Sequence, residues 1–323
     1  MSSLKKIVDA PTVRALLQKG IINRDGVRLF DCTYFPTPRP DWKEFRASSY
    51  AKFAQLMQSP SRHSQLYASA HIPSAVHCDL DVAMYPSKYQ RFTMYPAEIF
   101  QEYIQLLGVQ KDEHIVVYSR GAQGGMLMAG KVAWLLKSYG QDKLSLLDGG
   151  LENWHQNGFE LSNSTVSVEK GDWTAVNRVS EYIISFEELE AKDGTGKQFI
   201  EKIEETNFID TRIRGQFQGT EDTGLDQYAG SGSHIPGFIN VPSAELVGEN
   251  GLLKSEGEIQ KMLPSNGLPS VTSCNMGIQA AFLAYVASSV DPAARFRLYP
   301  GGVKEMELRD SKKISAGRQH FPH

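Results

Sequence analysis

Nowhere in this chain do about eighteen apolar residues run together, the length a helix needs to cross a bilayer. The start, Met1-Ser-Ser-Leu-Lys-Lys-Ile-Val-Asp-Ala10, lacks the apolar core of a secretory signal. No membrane span is therefore expected; the cytosol is the default compartment and the mitochondrial matrix stays open. Cysteine is scarce: Cys32, Cys78 and Cys274 lie far apart and make no disulfide framework, which points to a reducing compartment. Without a Cys-x-x-Cys or a clustered Cys/His pair there is no sequence case for a zinc site, and no metal or other cofactor is expected. Excess charge is missing too. Lys and Arg number 34 against 37 Asp and Glu, which leaves no field to attract nucleic acid or an anionic membrane surface.

What is present is enough chain for two domains of about 100–150 residues each. Short β-type runs alternate with segments of helical spacing. Val27 to Asp31, His114 to Tyr118 and Leu144 to Leu147 read as strands. Pro96 to Leu107 and Met126 to Ser138 read as helices, each followed by a glycine suited to ending them. Ile7, Val8, Val13, Leu16 and Leu17 together suggest an amphipathic helix at the start. The second half repeats the order of the first. Phe208-Ile-Asp210 answers Leu29-Phe-Asp31, and His234-Ile-Pro answers His71-Ile-Pro. The strand and turn at Cys274 answer those at Ser119, and Phe296 to Gly302 answers Leu144 to Gly150. The expectation is a duplicated α/β fold, each copy a mainly parallel sheet with helices on both faces. Domains are placed at 1–161 and 180–323, with the Ser/Thr/Asn-rich residues 162–179 as a linker.

Cys274 falls where a strand ends and a helix of small and apolar residues begins. Backbone N–H groups of such a turn, and the positive end of the helix dipole, face whatever anion lies there. A thiol so placed favours the nucleophilic thiolate. A buried structural cysteine is the other reading the position allows. Cysteine phosphatases need an arginine six residues after the cysteine to clamp phosphate; that residue here is Ala280.

The repeated order, the His-Ile-Pro blocks, the strand-to-cysteine turn with Gly277 three residues on, and Leu-Asp-Gly-Gly-Leu-Glu-Asn-Trp154 closing the first half resemble the tandem-domain rhodaneses. These are the thiosulfate and 3-mercaptopyruvate sulfurtransferases. The resemblance implies two rhodanese-like domains, the first catalytically silent because Ser119, which cannot carry a persulfide, stands where the second has Cys274. It implies an active-site loop of Cys274, Asn275, Met276, Gly277, Ile278 and Gln279. The thiolate would take a sulfane sulfur from a small donor and pass it to a thiol or cyanide acceptor, without a metal. A monomer or weak homodimer is expected.

The chain also departs from the family pattern. The arginine that holds an anionic donor is replaced by Gln216 in Ile209-Asp-Thr-Arg-Ile-Arg-Gly-Gln-Phe217. On an extended segment residues 212, 214 and 216 share a face, so Arg212, Arg214 and Gln216 are the candidate donor-binding residues. The further arginine of the mercaptopyruvate branch is also missing, near Gly224-Leu225. His71 matches a first-domain histidine of that branch, but no Asp or Glu lies between Glu44 and Asp79 to complete a relay. Two readings remain open: a sulfurtransferase working through Cys274, and a non-catalytic rhodanese-fold binding protein with a degenerate donor site. A redox sensor would need a resolving thiol, and only the distant Cys32 and Cys78 are available.

Overall fold

The computed structural model describes residues 4–221 and 234–315. The chain divides into two compact units. Among the described residues, one holds the chain up to Ser87, Thr93–Val179 and Gly248–Leu253; the other holds Lys88–Phe92, Ser180–Val247 and the chain from Lys254.

In the first unit the strands are β1 (Ile7–Val8), β2 (Val27–Asp31), β3 (Val76–His77), a small antiparallel pair β4 (Met84–Tyr85) and β5 (Thr93–Met94), then β6 (His114–Tyr118) and β7 (Leu144–Leu147). Five of them form a parallel sheet in the order β1-β7-β6-β2-β3. The second unit has β8 (Asn207–Asp210), β9 (Ile239–Asn240), β10 (Ser270–Ser273) and β11 (Phe296–Leu298), parallel in the order β11-β10-β8-β9. A one-residue parallel bridge from Ile183 to Leu298 stands where β1 stands in the first unit. The repeat read from the sequence is thus a repeat of topology.

The helix Leu127–Ser138 packs on β6 and β7, and the helix Ile278–Val290 packs on β10 and β11. Both are apolar almost all round because both are buried almost all round. Parallel strands covered on two faces need no polar alternation, which is why β6, His-Ile-Val-Val-Tyr, reads as a continuous apolar run.

Two local expectations fail. Ile7 and Val8 are not helical: they form β1 beside Leu146 and Leu147. Asp9 caps the following turn by accepting the Thr12 N–H at 2.8 Å, and Pro11 in the first turn fixes the start of the helix Ala10–Gln18. Nor is the 212–216 stretch extended, since Arg214–Gln218 is a short helix. Residues two apart on a helix point to nearly opposite sides, so the shared face of Arg212, Arg214 and Gln216 does not exist.

Residues 162–179 lie along the first unit. Gly171 and Trp173 donate backbone hydrogen bonds to Gln105 and Val109, and Val176 and Arg178 donate to Tyr139 and Ser138. The buried Trp173 indole donates to Gln141 Oε1 at 2.8 Å.

At the start of β6, His114 is 8 % exposed and its Nε2 lies 2.7 Å from Ser145 Oγ. That hydroxyl gives its proton to Lys5 O, so His114 Nε2 is the donor. Burial, and secondarily the Lys143 charge, pushes His114 down to about 4. The unfolded chain, with histidine near its usual 6.5, then binds a proton between pH 6.5 and 4 that the folded chain refuses, so stability falls as pH falls through that window. Urea midpoints should decrease from pH 7 to 4.5, and His114→Gln should flatten that decrease. An unchanged slope in the variant would assign the effect to other groups.

Candidate active site

Strand β10 carries Cys274 to the end of the sheet, where it is 2 % exposed. The chain turns through Asn275, Met276 and Gly277 into the helix Ile278–Val290. Gly277 has φ +75°, and a Cβ there would stand 2.8 Å from Pro300 Cα, so only glycine makes this turn without strain. Its N–H donates to Cys274 Sγ at 3.1 Å. The cysteine carbonyl accepts Val303 N–H at 2.8 Å, and a Cβ on Gly302 would meet that same oxygen at 2.3 Å. Two glycine-dependent turns therefore clamp the cysteine from both sides. A sulfur at this place meets a backbone donor and the positive end of a helix, the environment that stabilises a sulfur anion.

Arg212 is fully buried, and its guanidinium grips Asp210 in a fork: Nε to Oδ1 at 3.0 Å and Nη2 to Oδ2 at 2.6 Å. Its Nη1 donates to Asn275 Oδ1 at 3.3 Å. Arg212 thus ties the residue after the cysteine to the end of β8. Arg214 is largely exposed and forms a two-point ion pair with Glu245, at 2.8 and 2.7 Å. Gln216 is buried on the short helix. Met276 and Gln279 flank the turn, and Ile278 opens the helix. The other location considered for a donor-binding arginine, at Gly224 and Leu225, lies outside the described residues.

The first unit builds the same scaffold with its arginine drawn from a different element. Asp31 Oδ1 accepts Thr33 N–H as Asp210 Oδ1 accepts Arg212 N–H. The arginine, however, comes from the other partner: Arg120, next to Ser119, reaches Asp31 Oδ2 at 3.4 Å and Thr33 Oγ1 at 3.0 Å. Ser119 Oγ donates to Gly125 O at 2.7 Å and accepts Ala129 N–H at 3.1 Å. Both its roles are spent inside the turn.

His71 is fully buried, its Nδ1–H bonded to Tyr67 O at 2.9 Å and its ring stacked on Tyr67. His234 does the same with Phe217 O, also at 2.9 Å, and the Phe217 ring. Each His-Ile-Pro block uses its imidazole to brace a turn. Among the described residues, His63, Asp79 and Asp81 form one cluster of metal-ligand type. His63 Nδ1 accepts Phe35 N–H at 3.1 Å, which leaves the proton on Nε2, 3.6 Å from Asp81 Oδ2. Neither nitrogen offers a lone pair, and the cluster is a hydrogen-bonded brace for the Tyr34 loop.

A parallel sheet whose interior strand delivers one clamped cysteine to a helix N-terminus defines an α/β protein with a cysteine at a strand–helix junction. Comparison with known proteins is more specific. A rhodanese-like domain model matches residues 18–157. "Putative thiosulfate sulfurtransferase mpst-1" of Caenorhabditis elegans is 54% identical over 99% of this chain and 100% of its own length. The human 3-mercaptopyruvate sulfurtransferase is 29% identical over 78% of this chain and 82% of its own. Among solved structures, the Tum1 protein of Saccharomyces cerevisiae superposes with a TM-score of 0.72 at 21% identity, covering 98% of this chain and 99% of that one. The chain belongs to the tandem-domain rhodanese family of sulfurtransferases.

Proposed function

We propose that Cys274 is the sulfur carrier of this sulfurtransferase, loaded by a small anionic donor of the thiosulfate or 3-mercaptopyruvate class. The observation that carries the reading is the Gly277 N–H on Cys274 Sγ, in a turn whose first-unit counterpart holds a serine with both hydrogen-bonding roles spent. With thiosulfate, the Cys274 thiolate attacks the outer sulfur, the S–S bond breaks, and sulfite leaves with the electron pair. With 3-mercaptopyruvate, the C–S bond breaks, and the pair stays on the carbon as an enolate that takes up the thiol proton to give pyruvate. Either step leaves a persulfide on Cys274. Attack by cyanide or a thiol on its outer sulfur restores the thiolate.

In this reading the loop Asn275 to Gln279 cradles the persulfide anion by backbone donors, and Arg212 positions the loop through Asn275. Arg214 and Gln216 keep no direct part in donor binding, since one is committed to Glu245 and the other carries no charge. His71 braces its turn. The first domain, 1–161, is silent, and 162–179 joins it to the catalytic domain, 180–323. The cytosol or the mitochondrial matrix, and a monomer or weak homodimer, complete the proposal.

The test is intact mass after incubation with each donor in turn, with the adduct mapped by fragmentation. A gain of one sulfur atom on the peptide bearing Cys274 is the expected result. No adduct with either donor, or an adduct on another cysteine, would overturn it.

A further inference from the structure

Two of the three cysteines, far apart in sequence, stand side by side in the first unit. Strands β2 and β3 run parallel in the register Phe30 to Val76 and Asp31 to His77, and Cys78 N–H donates to Asp31 O at 2.8 Å. Cys32 and Cys78 are the next pair along, so their side chains leave the sheet on one face. Neighbouring strands lie about 4.8 Å apart, inside the range of about 4.4–6.8 Å between Cα atoms that a disulfide spans. The two thiols already touch: Cys32 S–H hydrogen-bonds the Cys78 sulfur. The Tyr103 hydroxyl, on the helix Ala97–Leu106, hydrogen-bonds the same sulfur and donates to Asp79 O at 3.3 Å.

Both cysteines are free thiols and each is only 1 % exposed. Burial, and next the hydrogen bond to Cys78, push the Cys32 thiol well up, so Cys32 keeps its proton. Two donors converge on the Cys78 sulfur, which casts Cys78 as the attacking sulfur and Cys32 as the resolving thiol. Access comes from the topology. β3 is an edge strand two residues long, bonded only to β2, so a small local opening uncovers the pair.

We infer that Cys32 and Cys78 form an oxidant-operated clasp: hydrogen peroxide converts the dithiol to a disulfide that ties the edge strand β3 to β2 and closes residues 33–77 into a covalent loop. The Cys78 sulfur attacks one peroxide oxygen, the O–O bond breaks, and the departing hydroxide takes the Cys78 thiol proton and leaves as water. The Cys32 sulfur then attacks the resulting sulfenic acid, the S–O bond breaks, and a second water carries off the Cys32 proton. Two thiols lose two electrons and two protons, and one peroxide becomes two waters. A thiol reductant reverses the step. Because the link joins positions already paired in the fold, it restrains the unfolded chain at little cost to native geometry.

The test treats the full-length wild-type protein with excess hydrogen peroxide, removes the peroxide with catalase, and unfolds the protein in an alkylating agent for peptide mapping by mass. The peptides bearing Cys32 and Cys78 should be linked, two hydrogens lighter than the free pair, and should separate on addition of dithiothreitol. The urea midpoint of the treated protein should fall when dithiothreitol is added, which reads the clasp apart from any irreversible oxidation elsewhere. Cys32→Ser should give no link, and its Cys78 should gain oxygen instead. The wild-type map needs no variant, so a misfolded Cys32→Ser leaves the inference falsifiable. Cys32 and Cys78 both alkylated as free thiols after peroxide, a link from either of them to Cys274, or a Cys32–Cys78 link that forms only in urea would overturn it. So would a urea midpoint that rises when the link is reduced.

Discussion

Cys274→Ser loses sulfur transfer, with turnover down by roughly 10³-fold or more, the scale of losing a nucleophile. The folded state changes by only about 1 kcal/mol, the scale of one hydrogen bond. The loss is chemical. A hydroxyl at this place has neither the polarisability nor the acidity to displace sulfite from sulfur, and an oxygen–sulfur adduct would not hand its sulfur on as a persulfide does. The modest cost to stability follows from the molecule itself, because Ser119 already stands at the end of β6 and satisfies its hydroxyl within the turn. Thiocyanate release and a thermal melt, run side by side, separate the two effects. Appreciable turnover in a folded serine variant would remove Cys274 from the mechanism.

Arg212→Met should be the most destabilising of the substitutions considered. Both partners of the Arg212–Asp210 pair are buried, with side-chain exposure of 0% and 1%. Removing the guanidinium leaves a carboxylate in the interior with its main charge partner gone, a situation that costs about 3–5 kcal/mol. The same change cuts the link to Asn275 Oδ1, so activity should fall even at temperatures where the variant stays folded. Asp210→Asn in the same chain should recover part of the stability, since it removes the orphaned charge, yet recover little of the activity. Urea unfolding of the two single variants and the double variant gives the coupling. A loss below about 1 kcal/mol for Arg212→Met would mean that the pair does not hold the end of β8.

Some features were legible because their causes are local. The strands His114–Tyr118 and Leu144–Leu147 lie where continuous apolar runs meet glycine or charge at their ends. The turn at Cys274 was legible for a similar reason: Gly277 three residues on, then a helix with no polar face, leaves the cysteine at a junction. The repeat was legible as four blocks recurring in one order.

Other features had no local cause to read. Ile7 and Val8 became a strand because Leu146 and Leu147 offered an edge, a partner about 140 residues away. The stretch 214–218 became helical, which dissolved an argument built on alternation. The search for a donor-binding cation stayed with arginines near the Asp210 motif. Folding commits Arg212 to Asp210 and Arg214 to Glu245, and nothing in the spacing around either arginine records those partners.

By itself, then, the sequence determined the class of fold, its duplication and the place of the Cys274 turn, because apolar periodicity and glycine positions act over a few residues. Which side chains surround that cysteine was decided only by the tertiary structure. A guanidinium or an ammonium reaches a site or a salt bridge according to what stands across the sheet from it, and neighbours in sequence do not record that.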